Sequence, residues 1–200
     1  MVDGRPEIYL AGPEVFLPDP LARAAEMKEA CRRLGAIGWF PLDNQHGVED
    51  ADPDVMAANI SRADEALIGR CDALVANMAP FRGPSMDAGT CYEMGLAKGL
   101  GKLVVGYTTD WRRLGEKVGA TATLVRDGAW WRDAEGMLCR DFGLIDNLMM
   151  VKGAAAVLGS FEASVAYVVR HFAAHGRVVA EPPRSLYSRE RSTTSGETRS

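Results

Sequence analysis

The 200-residue chain is short of most features that mark a special class of protein. No window approaches the ~18 uninterrupted apolar residues of a membrane-spanning helix. Its first residues, Met1-Val2-Asp3-Gly4-Arg5, lack the basic-then-apolar order of a secretory signal, so a cytoplasmic location is expected. The four cysteines (Cys31, Cys71, Cys91, Cys139) form no C-x-x-C pair and lie in segments that read as buried. They predict neither a disulfide framework nor a zinc site. Positive charge is scarce: 23 Lys and Arg against 27 Asp and Glu leave a net charge of -4. Such a balance offers no footprint for nucleic acid or an anionic membrane surface. Cofactor signatures are missing too. Gly12-Pro13 stands where a dinucleotide fold carries G-x-G-x-x-G, but the later glycines are absent. Lys102 is followed by Leu103, not by the Ser or Thr of a phosphate loop. His171 and His175 have a ligand spacing but no acidic partner between them. No cofactor and no metal is expected. A small-molecule partner remains.

What is present is enough for one real core, with 47% hydrophobic and 25% charged residues. Glu7-Ile8-Tyr9-Leu10-Ala11 predicts a buried first strand, stopped by Gly12-Pro13. Asp19-Pro20 and Asp52-Pro53 each predict a helix start, with aspartate as cap and proline in the first turn. Leu21, Ala24, Ala25, Cys31 and Leu34 give the first helix its apolar face; Met56, Ile60, Ala63 and Leu67 give the second its stripe. Further strands are predicted at 39–41, 71–76 and 103–107, and helices at 87–100 and from Ser160 to about His175. Residues 42–52 read as a long polar loop. Residues 110–137 show no clear pattern, with Trp130-Trp131 either a surface excursion or a pocket wall. Strands alternating with helices predict an α/β fold, a parallel sheet covered on both faces, in a single domain over 1–180. Residues 181–200 are Pro, Ser, Thr, Arg and Glu with almost nothing apolar, and predict a disordered, dispensable tail.

One helix carries chemistry. In Ser85-Met86-Asp87-Ala88-Gly89-Thr90-Cys91-Tyr92-Glu93, a carboxylate falls within two turns of a helix start that follows strand three. Ligands of open parallel sheets bind outside the carboxyl ends of the strands, where such a helix begins. Gly89, Thr90 and Ala97 surround Glu93 with small side chains, which leaves room for a ligand. The helix N-terminus is expected to favour its ionised form, as a nucleophile requires. The alternative is a solvated helix glutamate beside glycines that serve packing. Asp64, at the edge of the second helix's stripe, either faces the same crevice or is solvated. Asp72 is expected to be structural.

Six fragments, in order, resemble the nucleoside 2-deoxyribosyltransferases. They are Ile8-Tyr9-Leu10-Ala11-Gly12-Pro13, Pro41-Leu42-Asp43-Asn44, Cys71-Asp72-Ala73 and Phe81-Arg82-Gly83-Pro84. Asp87-Ala88-Gly89-Thr90 with Glu93-Met94-Gly95, and Phe142-Gly143-Leu144 through Asn147-Leu148-Met149, complete the set. The resemblance implies a flavodoxin-like, doubly wound sheet and exchange of the base of a 2'-deoxynucleoside through a covalent deoxyribosyl-enzyme. Glu93 matches the nucleophile and Tyr9 the tyrosine that positions it. Asp64 matches an aspartate near the base, and Asp87 one that binds sugar hydroxyls. Gly12 falls in the first fragment and Phe16 just beyond, the latter a base-stacking candidate. Asn147 matches an asparagine lent by a neighbouring subunit, so a homo-oligomer with shared sites is expected. Its small-molecule partners would be deoxynucleosides and free nucleobases.

These residue types suit the chemistry. A carboxylate can stabilise and then capture the cation that builds at C1'. An aspartic acid can protonate the leaving base. Two displacements give retention. The alternatives are a hydrolase of 2'-deoxynucleoside 5'-monophosphates, in which Ser85 would meet the phosphate, and a non-catalytic nucleotide-binding module.

Overall fold

The computed structural model describes residues 4–44 and 49–176. The predicted tail at 181–200 and the middle of the 42–52 loop lie outside the described residues. Strand β1 (Glu7–Ala11) is followed by a 3-10 turn (Pro13–Phe16) and helix α1 (Pro20–Arg33), capped by Asp19 through Ala22 N. Strand β2 (Ile37–Trp39), a 3-10 turn (Pro41–Asn44) and α2 (Pro53–Arg70) come next, then β3 (Ala73–Asn77) and α3 (Ala88–Gly99). After β4 (Leu103–Tyr107) come the short α4 (Leu114–Gly119) and strands β5 (Val125–Asp127), β6 (Trp130–Arg132) and β7 (Leu138–Cys139). Helix α5 (Leu148–Val151), β8 (Ala156–Leu158) and α6 (Phe161–His175) complete the described chain.

Five strands form one sheet in the order β2-β1-β3-β4-β8, every pairing parallel. That is the flavodoxin-like order, with its direction reversing between β1 and β3. Side chains alternate across the sheet. Ile8 and Leu10 join α1 and α6 in one core, around Met27, Val105, Phe161 and Val165. Tyr9 and Ala11 join α2 and α3 in the other, around Leu67, Leu74, Met94 and Ala97. Tyr9 is thereby committed to the α3 side of the sheet.

The predicted α/β architecture stands, with local corrections. The buried face of α1 is Ala24, Met27, Ala30 and Cys31, while Leu21 and Ala25 point to solvent. A stripe stepping by three and four from Ala24 is what meets the sheet. Strand β2 ends before Pro41, which has no N–H for a ladder and opens a 3-10 turn instead. Only the C-terminal end of α2 is fully buried, at Leu67 and Ile68; Met56, Ile60 and Ala63 are half-buried, because this half of the helix stands over the crevice. Cys31 and Cys71 are buried, but Cys91 and Cys139 only partly so. Residues 110–137 supply α4 and most of a small antiparallel sheet, β5-β6-β7, in which Val125 and Leu138 are exposed. Asp72 is structural as expected, accepting a 2.8 Å bond from Glu7 N. No helix among the described residues is long and apolar enough to cross a membrane.

Candidate active site

At the switch point between β1 and β3 lies a cavity of about 360 Å³. Gly12 and Phe16 line it from the β1 side, Asp64 from α2, and Asp87, Thr90 and Glu93 from the start of α3. The topology explains the convergence. Chain leaving β1 and chain entering α3 emerge side by side at the carboxyl edge of the sheet, and α2 crosses above them.

Tyr9 projects from β1 beneath α3 and donates its hydroxyl to Glu93 Oε1 at 2.5 Å. Its ring is fully buried, and burial together with the Glu93 and Asp64 charges pushes the phenol far above its ordinary value. It therefore stays protonated and acts as donor. Glu93 is pushed up to about 7, chiefly by burial, with the Asp64 and Asp87 charges adding and the Tyr9 bond opposing. The expectation that the helix N-terminus would hold Glu93 ionised is thus corrected. Glu93 is the sixth residue of α3, beyond the first turn where the helix dipole acts, and desolvation outweighs it.

Asp87 is the N-cap of α3; its Oδ2 accepts from Thr90 N at 2.8 Å and Thr90 Oγ1 at 3.0 Å. Of the small neighbours expected around Glu93, Gly89 and Thr90 line the cavity, but Ala97 is buried against the sheet. Phe16, more than half exposed, stacks on Phe81 with centroids 5.4 Å apart, and the Arg82 guanidinium lies over both rings. Gly12 is required where it stands. A Cβ there would collide with the Glu14 carboxylate and sit 2.9 Å from Asn77 Cβ.

Two candidates lie elsewhere. Ser85 Oγ donates to Asp146 Oδ1 at 2.7 Å and is not among the residues lining this cavity. Asn147 caps α5 through Met149 N and borders a different, larger groove of about 470 Å³, walled by apolar residues of α4, β7 and the 142–148 segment. That groove holds none of Tyr9, Asp64, Asp87 or Glu93. His171 and His175 stack on each other, and no group of three or more metal-ligating side chains occurs among the described residues.

Two buried carboxylates escaped the sequence reading. Asp146 accepts from Ser85 Oγ, Met86 N and Asn147 N, pinning the loop before α3 to the segment before α5. Glu14 accepts from Asn77 Nδ2 and Tyr107 Oη beneath the cavity. The available signal was a charged residue inside an otherwise apolar stretch.

Residues 8–149 match the family model described as nucleoside 2-deoxyribosyltransferase. The chain belongs to that family. Among nucleoside 2-deoxyribosyltransferase structures, the 2-desoxiribosyltransferase of Leishmania mexicana is 32% identical with a TM-score of 0.62, over 83% of this chain and 98% of that one. The 2-deoxyribosyltransferase of Bacillus psychrosaccharolyticus shares the fold at 20% identity and a TM-score of 0.50, over 78% and 88% of the two chains. An uncharacterized protein of Schizosaccharomyces pombe is 34% identical over 175 residues, 79% of this chain and 81% of its own length. The flavodoxin-like sheet expected of the nucleoside 2-deoxyribosyltransferases is the one observed.

Proposed function

We propose that this protein exchanges the base of 2'-deoxynucleosides through a covalent deoxyribosyl–Glu93 intermediate. The observation that carries the reading is the Tyr9–Glu93 hydrogen bond at the floor of a cavity that also holds Asp64 and Asp87. Glu93 attacks C1'; the new C1'–O bond forms as the C1'–N bond to the base breaks. Asp64 gives the departing base its proton. A second base then attacks C1', Glu93 leaves as carboxylate, and the proton lost by the incoming nitrogen returns to Asp64. Two inversions restore the original anomer. Tyr9 donates to the oxygen that is not attacking and favours the ionised nucleophile. Asp87 already spends Oδ2 on the helix cap, which leaves Oδ1 for a sugar hydroxyl.

The nucleoside reading is favoured over a 5'-monophosphate hydrolase on charge. A phosphate beside Asp87 would meet a carboxylate, and the serine that could have received it is held by Asp146. A binding module without chemistry would have no use for a carboxylate poised near neutrality. We further propose that Asn147 serves the site of a second copy. Its surroundings, Phe142, Leu148 and Met149, are exposed apolar residues of the kind that associate. Its Oδ1 is the α5 cap, so the amide Nδ2 remains to bind sugar.

One incubation tests the reading. With 2'-deoxyinosine or thymidine plus adenine, chromatography should show new 2'-deoxyadenosine. Free deoxyribose with or without adenine means a hydrolase; unchanged substrate overturns the catalytic reading.

A further inference from the structure

Glu14 is the most buried carboxylate near the cavity that the reaction above leaves unused, with only 6% of its surface exposed. Burying a charge is costly unless it gains strong partners. Here both partners converge on one oxygen: Oε1 accepts from Tyr107 Oη at 2.7 Å and Asn77 Nδ2 at 2.8 Å. The other oxygen makes no hydrogen bond and packs against Gly12, which lines the cavity. Core packing alone would be served better by an apolar residue.

The bonds lead to Phe16, which lines the active-site cavity, and to Phe81, which stacks behind it outside that cavity. Glu14 and Phe16 share the 3-10 turn after β1, closed by Leu17 N on Glu14 O at 3.2 Å. Asn77, at the end of β3, accepts from Ala79 N through Oδ1 at 3.0 Å, fixing the start of the loop that carries Phe81. Phe81 then stacks on Phe16 at an interplanar angle of 14°. The chain of contacts from Glu14 through Asn77, Ala79 and Phe81 to Phe16 is closed. Beyond Phe16 lies a second cavity of about 320 Å³, also lined by Glu14, Asn77 and Phe81. Phe16 thus separates two open spaces and has room to swing out of the first.

We infer that Glu14 is a positioning residue: its buried carboxylate ties the Phe16 turn to the Phe81 loop and so sets the width of the slot that receives the nucleobase. This rests on the reading of the cavity as a nucleobase site. Charge-assisted bonds are about twice as strong as neutral ones, so a neutral acceptor of equal size should hold the turn less firmly.

Glu14→Gln tests the inference with the full chain. The expected outcome is a KM for 2'-deoxyinosine raised about tenfold, with kcat within about twofold and the acid limb of the pH profile unmoved. In a Phe16→Ala background the same change should add almost nothing, because its effect passes through Phe16. An equal penalty in both backgrounds, or a loss confined to kcat, overturns the inference. Should Glu14→Gln fail to fold, Tyr107→Phe removes one donor from the same oxygen and is read identically. If the wild type performs no exchange, the proposed function falls, and the crystal structure of the variant decides the inference alone. Phe16 displaced from Phe81 supports it; an unaltered stack overturns it.

Discussion

Tyr9 and Glu93, 84 positions apart, meet through a 2.5 Å hydrogen bond because β1 turns every second side chain toward α3. Strand alternation therefore aims the donor, and the helix carries the acceptor across the switch point. The pair is buried enough that each member alters the other's protonation, and the consequences are measurable.

Removing the nucleophile should be far worse than removing its partner. Glu93→Ala is expected to lower turnover at least ~10^3-fold with the fold intact. Tyr9→Phe deletes one positioning bond and should cost ~10-fold to 100-fold. Exchange rates on circular-dichroism-checked proteins decide it; near-normal exchange by folded Glu93→Ala sinks the mechanism.

The pH dependence follows from a carboxyl raised to about 7. With an activated leaving group that departs without a proton, only ionised Glu93 is required, so kcat/KM for such a substrate should fall tenfold per pH unit below about 7. The Tyr9 bond lowers the Glu93 value and the Asp64 charge raises it. Tyr9→Phe should therefore shift the acid limb to higher pH and Asp64→Asn to lower pH. Shifts in the same direction for both variants contradict this account.

Asp64→Asn should also discriminate between leaving groups. An amide keeps the shape but has no proton to give, so nucleosides with poorly departing bases should slow most. A substrate with an activated leaving group should be nearly spared. Equal slowing of both would reduce Asp64 to a binding or structural part.

Stability carries the same signature with the opposite preference. The folded state holds the Glu93 proton up to about 7, whereas the unfolded chain releases it near 4.5. Ionisation thus costs the folded state nothing below about 4.5 and its full amount above about 7. Glu93→Gln removes this cost and can still accept from Tyr9. It should melt higher than wild type at pH 8, by a gap on the order of 3 kcal/mol, and converge with it near pH 4. Identical melting curves at pH 8 would show that Glu93 ionises without penalty.

Mixing tests the shared site. Glu93→Ala and Asn147→Ala proteins should each be nearly inactive, and activity should return after subunit exchange, since one site of a mixed dimer regains both wild-type residues. A verified mixed oligomer without activity, or an active monomer, refutes the arrangement.

Periodicity made the frame readable. The runs at Ile8-Tyr9-Leu10 and Leu103-Val104-Val105, and the Asp-Pro helix starts, carry strong local signals, and each element lies close to its expected place. The β5–β7 meander was illegible because strands of two or three partly exposed residues have no buried face to write an alternation. Strand β8 hid in an alanine-rich stretch with weak strand preference. Glu93 stood out by its small neighbours, and Asp64 by its place on the stripe's edge. The Tyr9 bond required knowing which face of β1 meets α3, and the resemblance supplied what spacing could not. Glu14 and Asp146 left no periodic trace, only a charged residue inside an otherwise apolar stretch, and such a residue is told from an exposed one by the donors that fold around it.

The sheet begins and ends in strands of three residues, β2 and β8, each flanked by longer neighbours. A stranger's strand arriving at either border would find a ladder too short to hold it. Copies of this chain are thereby steered away from fusing their five-stranded sheets edge to edge into a ribbon.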